Sequence, residues 1–333
     1  MKERRGISLQ GGAAAAGVLL GILYDRRESF TPLRELAAAA RCSDAAIGEA
    51  LAELQGGGQR FESSPAHGVR LVSPVRLDAR LIERKLGTRR IGRHVICFGE
   101  VDSTNDVAKD SARQAGADGL VVLAESQRRG RGRLGRSWIS PPGSNVLMSV
   151  LLIDAGSKRP PEAVALAAGL AAAEGIDQIT HLACRLKWPN DVLLDGRKVC
   201  GVLVELAEAA KGRAVVVGIG INVNSCPPPS RLPHPATSLA RCLGGEVERV
   251  EIIRAILRRL DRWVADIQAG RVDRLRSAWL SRCSMLNQRL TVACGGRRYV
   301  GRAIDINPLS GLLLSGDHGE LIRLPAETST ILG

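Results

Sequence analysis

The sequence predicts an α+β chain in three parts, on three observations. Three short stretches with helical apolar spacing and a glycine-bounded pair of strands fill residues 1–75. Strands and helices then alternate through residues 76–284. From Gln288 on, short strands are separated by glycine-rich turns, so 285–333 forms the last part. The first pattern is the element order of a winged helix-turn-helix domain. The last is that of a small SH3-like barrel.

Composition sets the outer bounds. A chain of 333 residues has room for two or three domains and a sizeable core. Hydrophobic residues at 45% place it among globular proteins, and only 3% aromatics leave the core to Ala, Leu, Val and Ile. The net charge of +13 implies an acidic or phosphate-bearing partner. Of the eight cysteines, the two nearest in sequence are Cys283 and Cys294, so there is no Cys-x-x-Cys metal or redox pair. They read as free thiols of a reducing cytoplasm. The apolar run Ala13 to Leu23 is too short to span a bilayer and reads as a core helix ahead of the alternative of a signal anchor.

In chain order, a helix is expected over about 13–27. Thr31-Pro32 reads as the start of a second helix through Ala40, with threonine capping and proline first. Ser43 can cap a third helix to Gln55, which Gly56-Gly57-Gly58 ends. Phe61-Glu62-Ser63 and Gly68 to Val72 form the strand pair. The charge argues against DNA binding. Between Met1 and Pro74 there are nine Lys or Arg against eight acids, and the candidate recognition helix, Ser43 to Glu53, carries three acids and no base. A helix lying between phosphates should have the opposite sign. Val75 to Arg93 reads as a basic helical connector.

The middle part opens with a strand from His94 to Val101. Asp102 or Ser103 can cap the helix that follows through Ala115. Leu120 to Ala124 is a buried strand leading into the most distinctive stretch, Glu125 to Trp138, where Gly130, Gly132 and Gly135 alternate with Arg129, Arg131, Arg133 and Arg136. Glycine lets backbone approach a ligand, and guanidinium forks suit carboxylate and phosphate oxygens. The glycines also match the dinucleotide pattern, with Asp154 downstream, but Ser140-Pro141-Pro142-Gly143 forbids the helix that pattern requires. A strand over Asn145 to Ile153 and a helix over Pro161 to Glu174 come next. Arg185 to Leu194 sets Lys187, Trp188, Asn190 and Asp191 between short apolar runs, and Asp191 is a carboxylate suited to magnesium. After the turn Gly196-Arg197-Lys198, the strand Val199 to Leu206 returns, with Gly201 leaving room for close approach. Lys198 there is either a site residue or an edge-strand charge. Val215 to Asn224 is a further buried strand, and Pro227-Pro228-Pro229 begins a loop. Helices over Val250 to Gln268 and Arg271 to Trp279 complete this part, with Arg258, Arg259 and Arg262 turned to solvent or an acidic partner.

The arginine–glycine loop, Ser103-Thr104-Asn105, Lys187-Trp188-Pro189-Asn190-Asp191 and Lys198-Val199-Cys200-Gly201 together resemble the biotin protein ligases, of the bifunctional type that doubles as a biotin operon repressor. The resemblance runs through nearly the whole chain in the same order, and Gly218 to Asn222 matches a further family strand. It implies a central mixed sheet with helices, like that of class II aminoacyl-tRNA synthetases. It implies ATP, Mg2+ and biotin, with biotinyl-5′-AMP formed first and biotin then passed to a lysine of a biotin carboxyl carrier domain, as in acetyl-CoA carboxylase. A homodimer and a DNA operator are the other implied partners, without a membrane and in the cytoplasm. Lipoate ligases share the fold, and the Arg-Gly-Arg-x-x-Gly-Arg loop favours biotin.

By the same resemblance, Arg133, Lys198 and Lys187 are the catalytic candidates. Ser103, Thr104, Asn105, Gln127, Arg131, Gly132, Arg133, Lys198 and Gly201 would hold biotin. Gly130, Arg131, Arg136, Trp138, Lys187, Asn190 and Asn222 would hold ATP or the adenylate, with Trp138 stacked on adenine and Asp191 as the metal contact. A regulator that only senses the adenylate would need a basic recognition helix and a degraded loop, and the sequence has neither. A general nucleic-acid binder leaves Trp188-Pro189-Asn190-Asp191 unexplained.

Overall fold

The computed structural model describes residues 9–154, 160–228, 230, 235–307 and 310–332, and divides into one unit up to Arg84 and another from Lys85. Pro229, the last residue of the proline run, lies outside the described residues. In the first unit, α1 (Leu9–Asp25), α2 (Leu33–Ala40) and α3 (Asp44–Gly56) precede an antiparallel hairpin, β1 (Phe61–Ser64) and β2 (Gly68–Leu71). Helical spacing turns Leu19, Leu20, Leu23 and Tyr24 of α1, Leu36 of α2, and Ile47, Ala50 and Leu54 of α3 into one core. Ser43 caps α3 as expected, accepting from the Ala46 amide at 3.4 Å.

Thr31 does not cap α2. Its backbone is taken by the hairpin, donating to the Val69 carbonyl at 2.8 Å and accepting from the Val69 amide at 2.9 Å, so Pro32 becomes the N-cap. The connector expected over 75–93 is helical only in α4 (Ala79–Glu83). Asp78 caps it, and ion pairs from Arg80 to Glu53 (3.0 Å) and Arg84 to Asp25 (2.7 Å) keep it within this unit.

The second unit holds β3 (Val95–Val101), α5 (Thr104–Ser111), β4 (Val121–Gln127), β5 (Val146–Asp154), α6 (Pro161–Thr180), β6 (Arg185–Lys187), β7 (Asp191–Leu194), β8 (Arg197–Glu208), β9 (Arg213–Ile221), α7 (Leu239–Leu243), α8 (Arg249–Gln268) and α9 (Val272–Leu280). Its seven strands form one mixed sheet in the order β3-β4-β5-β9-β8-β7-β6. Only β3 and β4 are parallel, and α5 supplies the crossover that a parallel pair needs. Ala108 of α5 and Ala112, which caps its C-terminus, are buried with Leu120, Val122, Leu151 and Val216, and α6 packs on β8 and against α8. Small side chains make up most of this cluster, with Phe98 packed against it. The arginines of α8 are not a free basic face. Arg258 donates to the Leu86 and Lys85 carbonyls, each at 2.9 Å, and Arg259 reaches Gln178, so only Arg262 of the three is exposed.

The last residues form a separate antiparallel sheet, β10 (Arg289–Cys294), β11 (Arg297–Asn307), β12 (Gly311–Ser315), β13 (Leu321–Leu324) and β14 (Ser329–Ile331), in the order β13-β12-β11-β10-β14. An ion pair from Arg276 of α9 to Asp305 of β11, at 2.5 Å, ties it to the helices. All eight cysteines are free, and burial pushes the Cys200 thiol up to about 12, which leaves it unreactive. Among the described residues no helix is long and apolar enough to cross a membrane.

Where β4 runs into the arginine loop, Glu125 pairs with Arg249 of α8 at 2.5 Å, their side chains 10% and 3% exposed. Removing one member leaves the other charge buried. Arg249→Met is expected to cost about 3–5 kcal/mol of stability. Chemical unfolding would measure it, and the Glu125→Gln, Arg249→Met double variant should recover a large part.

Candidate active site

A cavity of about 500 Å³ opens on the second unit. The start of α5, the arginine loop, the β6–β7 hairpin, β8, β9 and the end of β14 all contribute to its wall. Ser103, Thr104, Asn105, Gln127, Arg131, Gly132, Arg133, Arg136, Trp138, Lys187, Asn190, Asp191, Lys198, Gly201 and Asn222 all line it, converging from positions up to 119 apart in sequence. Gly130 does not. It lies in the neck of the loop, where its carbonyl accepts from the Trp138 amide at 2.9 Å, and a Cβ there would come within 2.5 Å of the Trp138 carbonyl. Its glycine serves the closure of the loop.

One end of the cavity is uncharged and polar. Neither Asp102 nor Ser103 caps α5 with its side chain. Asp102 is paired with Arg128 and Arg129, and Gln127 does the capping, its Oε1 accepting from the Thr104 amide at 2.8 Å. The Thr104 hydroxyl lies 3.1 Å from the same oxygen. Ser149, a lone hydroxyl on β5, lies 2.7 Å from Thr104 Oγ1 and 2.5 Å from Asn105 Oδ1. Asn105 fits over β9 because residue 218 is glycine; a Cβ there would stand 2.5 Å from Asn105 Oδ1.

The arginine loop spends most of its charge on the protein itself. Arg131 makes a forked pair with Asp106 (2.8 and 2.5 Å) and reaches Glu205 at 3.3 Å. Hydrogen bonding to Asp106 raises the Arg131 pKa, and Arg131 in turn holds Asp106 below the usual carboxylate range. Arg133 donates to the carbonyls of Ala326, Glu327 and Ser329 and to Asn190 Oδ1, fastening the loop to the C-terminal sheet. Burial lowers its pKa. Arg136 is exposed in the cavity wall, and its guanidinium has no ion pair among the described residues.

The other end is aromatic and charged. The Trp138 indole lies over the glycines of β8 and β9, and a Cβ at Gly220 would come within 2.5 Å of its ring. Lys198 Nζ sits 5.9 Å from that ring and 2.5 Å from Asp191 Oδ1. Lys198 is no edge-strand charge, since β8 lies between β9 and β7. Asn190 donates to the Val202 carbonyl at 2.7 Å, bracing the β6–β7 turn on β8. The buried Trp138 Nε1 and Asn222 Oδ1 lack hydrogen-bond partners among the described residues, leaving one donor and one acceptor for a ligand. On the sequence-based expectation that Trp138 stacks on adenine, Gly220→Ala should displace the indole and weaken ATP binding by at least tenfold. Titration with the nucleotide checks this; unchanged affinity would separate Trp138 from the nucleotide.

A resident metal does not fit. Among the described residues, Asp191 is the sole carboxylate in the cavity wall, it is paired with Lys198, and no cluster of three or more metal-ligating side chains occurs. A single carboxylate suits magnesium that arrives held by phosphate oxygens. Sequence reasoning passed over Asp106, Ser149 and Glu205. The available signal was a lone polar residue in an apolar strand, Ser149 in β5 and Glu205 in β8.

Comparison with known proteins follows the same outline. The Biotin/lipoate A/B protein ligase family profile matches residues 98–222. The bifunctional ligase/repressor BirA of Bacillus subtilis (strain 168) is 30% identical over 306 residues, 90% of this chain and 94% of that protein. The biotin–[acetyl-CoA-carboxylase] ligase of Paracoccus denitrificans is 33% identical over 237 residues, 69% and 98% of the two chains. Among solved structures, the biotin protein ligase from Aquifex aeolicus in complex with biotin and ATP superimposes with a TM-score of 0.62 at 28% identity, covering 72% of this chain and 98% of that one.

Proposed function

The chain belongs to the biotin protein ligases, and we propose that its cavity joins biotin to ATP and then passes biotin to a lysine of a biotin carboxyl carrier domain. The observation that carries this is the convergence of three distant motifs, around Ser103, Arg131 and Lys198, on one cavity with a polar end and a cationic end. The biotin carboxylate attacks the α-phosphorus of ATP, a P–O bond breaks, and pyrophosphate leaves. The carrier amine then attacks the acyl carbon of the anhydride, AMP leaves, and an amide forms.

In this reading the ring system of biotin meets Thr104, Asn105 and Gln127, and its aliphatic tail lies on Leu147, Met148 and Ile219. Lys198 leaves Asp191 to screen the approach of a carboxylate to a phosphate, a repulsion that a positive group offsets. Lys187 and Arg136 face the phosphates, and Trp138 stacks on adenine. Magnesium, carried by ATP, supplies charge neutralisation on the phosphates, with Asp191 and Asn190 nearest to it. The loop excludes water from the anhydride while Arg133 holds it down.

The first unit is read as a winged helix-turn-helix domain, residues 285–333 as an SH3-like barrel, and residues 76–284 as the ligase domain with a class II synthetase-like sheet. The bifunctional relatives raise a repressor role. The acids of α3, Asp44, Glu49 and Glu53, are exposed and oppose a phosphate backbone, so operator binding is the weaker half of the proposal. Dimerisation through the central sheet is expected on adenylate formation. An unchanged monomer in sedimentation with biotin and ATP would refute it.

The test of the ligase reading is to incubate the protein with biotin, Mg-ATP and a carrier domain and to weigh the carrier. One biotinyl addition per carrier is expected. Retention of the adenylate without transfer would make the protein a sensor, and failure to bind biotin would remove the reading.

A further inference from the structure

We infer that Glu205, outside the cavity wall, is a positioning residue that fixes the direction of the Ser149 and Thr104 hydroxyl protons, so that Thr104 offers the cavity a lone pair and favours ligands bringing an N–H donor there. The inference rests on the ligase reading for its ligand. Glu205 Oε2 accepts from Asn105 Nδ2 at 2.6 Å and from Arg131 at 3.3 Å, and Oε1 accepts from Lys109 at 2.6 Å. Burial alone would raise its pKa, but the donors Lys109 and Asn105 and the charges of Lys109 and Arg131 outweigh it and hold the group lower, as a carboxylate.

An ionised carboxylate can only accept. One N–H of the Asn105 amide is therefore committed to Glu205, and its carbonyl oxygen is turned towards Ser149. That oxygen also only accepts, so the single Ser149 proton goes to it across 2.5 Å. With its proton used, Ser149 is an acceptor towards Thr104 at 2.7 Å. The second neighbour of the Thr104 hydroxyl, Gln127 Oε1 at 3.1 Å, is an acceptor as well, and already takes the Thr104 amide proton. Two oxygens 2.7 Å apart need a proton between them, and Ser149 has none left, so the Thr104 proton goes to Ser149 and the hydroxyl faces the cavity with a lone pair. A carboxylate separated from the ligand by Asn105, Ser149 and Thr104 thus sets what the ligand must present to Thr104. The ureido N–H groups of biotin satisfy it. A ring with oxygen in place of one N–H would oppose a lone pair to a lone pair.

The experiment compares binding of biotin with binding of its cyclic carbamate analogue, in which one ureido N–H is oxygen, by calorimetry without ATP. The wild-type chain is expected to prefer biotin by about tenfold or more. Glu205→Gln can donate as well as accept, which frees Asn105 to turn over, so the preference should fall to within about twofold while ATP affinity is little changed. Ser149→Ala breaks the same relay without touching Lys109 or Arg131, and should lower the preference as well. The double variant should lose no more than the worse single one. A preference that survives either substitution, additive losses in the double variant, or equal loss of biotin and ATP binding would each overturn the role of Glu205. If Glu205→Gln does not fold, Ser149→Ala alone decides between these outcomes. A wild-type chain that binds neither compound would overturn the ligase reading itself, and the inference with it.

Discussion

Lys198→Ala should lower the rate of adenylate formation by about 10²–10³-fold, in the range found when one preorganised electrostatic partner is removed from a transition state. The ammonium sits at the start of an interior strand, beside Asp191 and below the Trp138 ring. Among the described residues, no other lysine or arginine in the cavity wall is both held on the central part of the sheet and paired with a side chain that a phosphate can displace. Pyrophosphate release measures the step directly. Lys198→Arg keeps the charge, but a planar fork does not fit a site made for a point charge, and it should recover only a small part of the rate. A loss of less than tenfold in the alanine variant would remove Lys198 from the reacting atoms.

Arg133→Gly should separate making the adenylate from keeping it. The arginine donates to three backbone carbonyls just before and within β14 and to Asn190, and it is the loop side chain that reaches the C-terminal sheet. Its loss opens the loop without touching Lys198, Trp138 or the polar end. Adenylate formation should therefore stay within about tenfold of wild type, while escape of the anhydride rises by at least that factor. The readout is biotin attached to bystander lysines on a protein that is not a carrier, a reaction the sealed site does not allow. Unchanged retention of the adenylate would show that the loop closes by other contacts, and the carbonyl latch would then be structural only.

Much of this architecture is legible along the chain. Apolar spacing marks α3, α6 and α8, alternation and glycine turns mark the small C-terminal sheet, and the proline pair at 141–142 rules out a dinucleotide-binding helix. The cavity residues are legible too, because glycine, arginine and an isolated Trp-Pro-Asn-Asp run are costly for a protein to keep without use. Gly218 and Gly220 announce a close approach. That the approaching groups are Asn105 and Trp138 is a separate fact.

What each polar group does was decided elsewhere. Helix and strand spacing depends on neighbours a few residues away, so the sequence alone determines the elements and the chemical kinds of residue brought to the site. A hydrogen-bond partner is a matter of which strands lie side by side. Asn105 meets Glu205 across 100 residues, Arg249 meets Glu125 across 124, and Arg133 reaches Ala326 across 193. Only the tertiary structure turns Arg131 onto carboxylates and Arg133 onto carbonyls, and gives the helix cap to Gln127 instead of Ser103. The reason is that burial penalises every unpaired donor and acceptor, and the partner that removes the penalty is whichever one the folded sheet brings within three ångströms or so.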